Sequence, residues 1–232
     1  PGGRLAECWP FAYSDVPSSE IYGKTKDALY EEGVYVGYRF YDKADVPVRW
    51  PFGFGLSYTS FAYSGLTVSG DTVRVTVKNT GARAGFEVVQ LYIAPPSGGL
   101  HRPVRELKGF RKVFLRPGES ETVTFALDER AFALWQDGWQ VPGGRYTVCI
   151  GGLSAAIEKT GGELTAPAWQ AGSWYENCAG KPRQKEWEAM LGRRYAPQTP
   201  RKGSFTMDNT VEEMKDASLV MRLFHSAVEN TI

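Results

Sequence analysis

Thr72-Val73-Arg74-Val75-Thr76-Val77-Lys78-Asn79-Thr80-Gly81 carries the pattern on which the fold turns. Val73, Val75 and Val77 alternate with Arg74, Thr76 and Lys78, so an extended chain puts three β-branched side chains on one face and polar ones on the other. Asn79-Thr80-Gly81 then turns the chain, because Asn and Gly tolerate positive φ. Outward from this stretch, the same period-two texture recurs between turn residues from about Tyr63 to Leu164. Residues 86–93 are apolar on both faces and suit a central strand. Residues 107–115 follow, and Pro117-Gly118 makes the next turn. Residues 121–127 direct Val123, Phe125 and Leu127 inward. Beyond a loop holding Trp135 and Trp139, Gly143-Gly144 leads into residues 145–150, with Tyr146, Val148 and Ile150 inward.

About seven strands in about 100 residues is the size of one immunoglobulin-like sandwich. The 232-residue chain is 42% hydrophobic and 23% charged, enough for one substantial core and room for a second. Its 27 Lys and Arg nearly cancel its 26 Asp and Glu, which removes the broad positive field of non-specific nucleic-acid binding. No apolar run approaches the roughly 18 residues of a membrane span. The opening Pro1-Gly2-Gly3-Arg4-Leu5 has neither an initiator Met nor a signal-peptide pattern, and the expectation is a piece cut at both ends from a longer gene product. Cys8, Cys149 and Cys178 lie far apart without CxxC spacing, so neither a zinc ribbon nor a redox motif is read, and an odd count fits no disulfide scaffold. Free thiols and the lack of a leader lean towards a cytoplasmic setting. His101 and His225 give little material for a metal site or a triad and read as ordinary polar residues. No GxSxG, Walker, GxGxxG or HExxH motif is present, and no cofactor is expected.

The flanks differ from the sandwich. Residues 1–61 are rich in aromatics, Gly and Pro and read as an arm needing something to lie on. Its clearest local pattern, residues 34–41, predicts a strand with Val34, Val36, Tyr38 and Phe40 on one face. From about residue 165, Pro, Gly and basic residues predict a linker draped over a surface, with a short helix at 184–191 closed by Gly192. A final helix is predicted over about 210–230, capped by Asp208 or Asn209, with Val211, Met214, Ala217, Met221, Phe224 and Val228 as its apolar stripe.

The residues that could carry chemistry are a carboxylate-and-aromatic set in the arm: Tyr30, Glu31, Glu32, Arg39, Tyr41, Asp42 and Trp50. Carboxylates bond sugar hydroxyls and aromatic faces cover the apolar side of a pyranose ring. The same residues also suit interdomain packing, with Glu32 and Arg39 as a bidentate pin, and this is the favoured reading. Within the sandwich, Tyr92, Phe110, Phe114, Phe125 and Tyr146 read mostly as inward and therefore core, which leaves Trp135 and Trp139 as candidates for an exposed binding face.

At this point several blocks resemble a known family. Residues 3–10, Tyr30-Glu31-Glu32-Gly33-Val34-Tyr35-Val36-Gly37-Tyr38-Arg39 and Pro51-Phe52-Gly53-Phe54-Gly55-Leu56-Ser57-Tyr58 look like the C-terminal part of a family 3 glycoside hydrolase of the β-glucosidase type. Val77-Lys78-Asn79-Thr80-Gly81, residues 85–92, Arg102-Pro103-Val104-Arg105-Glu106-Leu107-Lys108-Gly109-Phe110 and Pro117-Gly118-Glu119 resemble its fibronectin type III-like domain. Together the blocks cover residues 1–155. The resemblance implies a mainly β fold: a fibronectin III-like sandwich at 62–165, preceded at 1–61 by the end of an α/β sandwich domain with its connecting arm. A C-terminal extension of linker and helix follows at 166–232. It also implies a retaining glycosidase acting on β-linked oligosaccharides or glycosides, whose (β/α)8 barrel holds the nucleophilic Asp and whose α/β domain holds the acid/base Glu. Both precede Pro1, so no catalytic residue is expected in this chain, and Tyr30, Glu32, Arg39 and Trp50 remain as rim or interdomain positions. Cys8 stands where the family usually has Thr, and residues 152–157 lack the Asp that commonly follows the Ser pair. The alternatives are a carbohydrate-binding module, or a structural brace for the catalytic domains or for a homo-oligomer.

Overall fold

The computed structural model of the chain describes residues 1–22, 27–98, 100–196, 206–207, 209–215 and 218–229. They divide into two units, Pro1–Arg193 and Arg194–Ile232.

In the first unit the arm doubles back on itself. Strand β1 (Trp9–Pro10) lies antiparallel to β2 (Val48–Trp50), with helix α1 (Tyr38–Ala44) between them in sequence. The pairing is prolonged by Leu5 N–H to the Phe54 carbonyl and Gly53 N–H to the Leu5 carbonyl, each 2.8 Å. The strand expected over residues 34–41 does not form. Gly37 holds φ 55° and ψ −135°, a region that side chains with a Cβ avoid, and helix α1 starts directly after it. Of the expected face, Val34 and Val36 are exposed while Tyr35 beside them is buried, and Phe40 is buried from the helix instead.

The sandwich follows as β3 (Phe61–Ser69), β4 (Thr72–Asn79), β5 (Gly85–Ala94), β6 (Glu106–Leu115), β7 (Ser120–Ala126), the small hairpin β8 (Leu134–Trp135) and β9 (Trp139–Gln140), then β10 (Gly144–Ile150) and β11 (Leu153–Lys159). One antiparallel sheet runs β3-β4-β7 and the other β11-β10-β5-β6, so β5 is central as its composition predicts. The inward rows are those of the alternation: Val73, Val75 and Val77 meet Val89, Leu91, Tyr146 and Val148, all fully buried. Each such aliphatic side chain contributes about 1.5–3 kcal/mol by leaving water. Phe125 packs against this core, whereas Phe110 and Phe114 do not. They stand on the outer face of β6, 70% and 48% exposed, because Val113 and Leu115 take the inward positions and period two sends their neighbours out. Tyr146 carries its one polar atom safely: its hydroxyl donates to the Pro142 carbonyl at 2.9 Å, the upstream bond of a tyrosine corner.

Asn79, read from sequence as a turn residue, is a hub with no exposed surface. Its Nδ2 donates to the carbonyls of Arg83 (2.8 Å) and Leu115 (2.9 Å), and its Oδ1 accepts from Thr59 Oγ1 (2.6 Å) and Gly81 N–H (3.0 Å). Every donor and two acceptor positions of the amide are used, and one of its partners belongs to the arm.

Residues beyond the sandwich build more than a solvated linker. Helix α2 (Trp174–Asn177) buries Trp174 and Tyr175, and Cys178 behind it is 1% exposed. These pack with Tyr35, Phe40 and Tyr41 into a second core, in which Trp174 stacks on Phe40 at 6.0 Å between centroids. The Tyr175 hydroxyl donates to the Glu31 carbonyl, and Lys181 Nζ donates to the Val16 carbonyl (2.6 Å) and Ser19 Oγ (2.9 Å). Gln170 clamps the His101 backbone, accepting from its N–H (3.1 Å) and donating to its carbonyl (2.9 Å). Helix α3 (Gln184–Leu191) ends at Gly192 with φ 67°, the left-handed stop its sequence announces.

In the second unit the single helix expected over 210–230 is described as α4 (Val211–Lys215) and α5 (Leu219–Glu229). The predicted cap Asp208 and the stripe residue Ala217 lie outside the described residues. Thr210 rather than Asn209 caps α4, in a reciprocal box: Glu213 N–H donates to Thr210 Oγ1 (3.2 Å) and Thr210 N–H to Glu213 Oε2 (3.1 Å).

Candidate functional site

The arm meets the sandwich along a seam, and the seam is where polar and aromatic groups converge. Helix α1 presents Tyr38 and Asp42 to the outer face of β5 and to the segment leading into β6. Tyr38 packs edge-on to Tyr92 (5.8 Å) and accepts the Leu107 N–H at 2.8 Å. Arg105 Nε donates to Asp42 Oδ2 at 2.7 Å while its guanidinium carbon lies 5.0 Å from the centre of the Tyr92 ring. Burial works against the Arg105 charge, but the hydrogen bond and charge of Asp42 outweigh it and raise the pKa. Burial also pushes the Tyr92 phenol up to about 12, against the nearby Arg105 charge, so it stays a neutral donor. A cleft of about 490 Å³ opens here, lined among others by Tyr38, Asp42, Asp45, Phe52, Tyr92 and Arg105.

A second polar anchor ties the start of the arm to the end of the sandwich. Arg4 pairs with Glu87, and the Tyr63 hydroxyl donates to the other oxygen of that carboxylate at 2.7 Å. Burial, followed by that bond to Glu87, raises the Tyr63 pKa. Cys8 Sγ accepts the Phe52 N–H at 3.2 Å, and burial raises its pKa, so the residue at this position acts as a packed acceptor.

The four rim positions read from sequence are not gathered into the seam cleft. Tyr30 is 72% exposed. Trp50 is half-buried, edge-on to Trp9 at 5.4 Å with Arg49 over its ring. Arg39 lies half-buried on α1. The bidentate pin between Glu32 and Arg39 is absent among the described ion pairs, and Glu32 Oε2 is buried without a hydrogen-bond partner. Gly33 turns the chain at φ 57° and the helix begins five residues later, so the two side chains do not share a strand face. Beside Glu32, the Glu31 carboxyl has its pKa raised, first by burial and then by the charges of Glu32 and Glu188. Sequence reasoning missed Arg105, Tyr38 and Tyr92 as one constellation. Arg105 and Asp42 are 63 residues apart, and nothing local announces that they pair.

Chemically, the seam braces the arm against the sandwich. Asp42 is committed to Arg105, and the aromatic walls suit packing or the apolar face of a sugar. Among the described residues no three His, Cys, Asp or Glu side chains converge as metal ligands. Exposed on the β8–β9 hairpin, Trp135 and Trp139 stand edge to face at 5.6 Å, with Arg130 at 3.9 Å over Trp139.

Residues 87–154 match the family model of the fibronectin type III-like domain. The chain is 44% identical over 169 residues to thermostable β-glucosidase B of Acetivibrio thermocellus, covering 68% of this chain and 22% of that protein. An exo-α-(1→6)-L-arabinopyranosidase of Bifidobacterium breve is equally similar, 44% over 169 residues, covering 69% of this chain and again 22% of that protein. Among solved structures, a β-glucosidase of Bifidobacterium adolescentis superposes with TM-score 0.67 at 39% identity, covering 82% of this chain and 30% of that one. β-Glucosidase 3B of Thermotoga neapolitana, in complex with glucose, gives 0.63 at 44% identity, covering 68% and 24%. The chain thus spans about a fifth of the length of the curated relatives, and the part it matches is their C-terminal part. Arm and sandwich together, in this order and joined by this seam, make the chain a C-terminal fragment of a family 3 glycoside hydrolase of the β-glucosidase type.

Proposed function

We propose that this chain is the scaffold end of an enzyme that hydrolyses glycosides with retention of configuration, and that its catalytic carboxylates lie in the portion of the enzyme outside these residues. In this reading residues 1–61 close the α/β domain and form the arm, 62–165 form the sandwich and 166–232 the extension. A (β/α)8 barrel and the rest of the α/β domain are its covalent partners. Tyr30, Glu32, Arg39 and Trp50 serve as rim or interdomain positions. The observation that carries it is the continuous match through arm and sandwich to β-glucosidases of which the chain spans only 22%. Equal similarity to an arabinopyranosidase supports placing sugar choice elsewhere in the enzyme, since the same end accompanies different sugars. The test is hydrolysis of aryl β-glucosides by the purified chain beside the full gene product. Turnover by the latter alone is expected, and turnover by the chain alone overturns the proposal.

A carbohydrate-binding role is favoured by one observation, the exposed Trp135 and Trp139 pair. It predicts retention on insoluble glucan that is lost in Trp139→Ala.

A further inference from the structure

The outer face of β5 and β6 is only half covered. The arm lies over one part of it: Tyr38 packs on Tyr92, and Gly53 approaches Gln90 so closely that a Cβ there would sit 2.5 Å from the Gln90 amide. Gln90 is the register partner of Phe110, and on the same face, at the spacing of two, follow Lys112 and Phe114. Phe114 pairs with Phe86, ring centroids 4.9 Å apart, and Lys112 Nζ lies 4.8 Å over Phe86. Phe86, Phe110 and Phe114 are 44%, 70% and 48% exposed. A pair of phenyl rings and a third further along the same face of edge strand β6, all open to water, are the kind of surface that marks an interface.

The surroundings indicate what covers it. Gly2 rests on Phe86, where a Cβ would meet the Phe86 Cβ at 2.6 Å, so the backbone preceding Arg4 enters directly over this patch. The patch is thereby bounded on two sides by the same arm and continues an interface the arm has already made. The relatives are about three to five times longer than the stretch they share with this chain. We propose that Phe86, Phe110 and Phe114 form the docking face for the portion of the parent enzyme preceding Pro1, through an apolar surface that carries acidic groups to meet Lys112. This rests on the functional reading above, in which such a portion exists.

The test is thiol labelling at position 110, read by mass spectrometry in the full gene product and in this chain. Phe110→Cys places a thiol on the patch, and Thr124→Cys places a control on the exposed outer face of β7. The proposal expects labelling at 110 to slow by about an order of magnitude or more in the full product relative to this chain, with no slowing at 124. Equal rates at 110 overturn it, as does protection of both positions. Protection at 110 that appears in this chain as its concentration rises assigns the face to a second copy and likewise overturns it. Activity of the full product on aryl glycosides is measured on the same samples. A protected but inactive enzyme keeps the docking face and removes the hydrolase reading, whereas an active enzyme labelled freely at 110 does the reverse.

Discussion

Asn79 shows how much a single polar side chain can fix. Its amide spans the end of β4, the 83 carbonyl, the end of β6 and Thr59 of the arm, with no water-exposed surface. Asn79→Asp keeps the shape but turns two donors into acceptors facing carbonyls and buries a charge without a cation. We expect a loss of about 3 kcal/mol or more in denaturant unfolding of the chain. Glu31 makes the opposite kind of statement. Its folded pKa is raised above the ordinary 4.5 by burial and by the neighbouring carboxylates, so the folded state binds this proton more tightly than the unfolded one. Stability from this group is therefore gained as pH falls and lost as pH rises through the raised value. Glu31→Gln should raise the unfolding midpoint at pH 7 and flatten its dependence on pH between 4.5 and neutrality, read by thermal scans across that range. An unchanged slope assigns the pH dependence to other groups.

At the level of elements, the sandwich strands were legible because each is set by a short-range rule: β-branched alternation on β4, a doubly apolar run on β5, Pro117-Gly118 between β6 and β7. Helix α1 was not, since its apolar residues Phe40 and Tyr41 find their partners in Trp174 and Tyr175, more than 130 residues later. The same long-range pairing hides the second core within a basic, Gly- and Pro-rich tail. Phe110 and Phe114 were misassigned for a different reason. Aromatic residues in a strand suggest core, but inward and outward on β6 are decided by Val113 and Leu115, and only the register shows which row faces in. Of the candidate site, the residue types were readable and their convergence was not. Gly37 tests the account of α1. With φ 55° and ψ −135° it occupies a region closed to other residues, so Gly37→Ala should cost about 1–3 kcal/mol. Gly3→Ala, where an added Cβ meets nothing within 4 Å, should leave the same unfolding curve unmoved.

Across the first unit, two cores are fastened by a few charged and amide contacts: Arg4 to Glu87, Arg105 to Asp42, and Gln170 on the His101 backbone. Two carboxylates of this unit are taken up by these fastenings. Glu87 is held by Arg4 and Tyr63, and Asp42 by Arg105. A retaining glycosidase forms a covalent glycosyl intermediate on one carboxylate. The most direct measurement is to trap that intermediate in the full gene product with a slowly hydrolysed glycoside, digest it, and find the peptide that carries the sugar. The account predicts a labelled carboxylate in a peptide outside residues 1–232, and a glycosylated Glu31, Glu32 or any other carboxylate of this chain would contradict it.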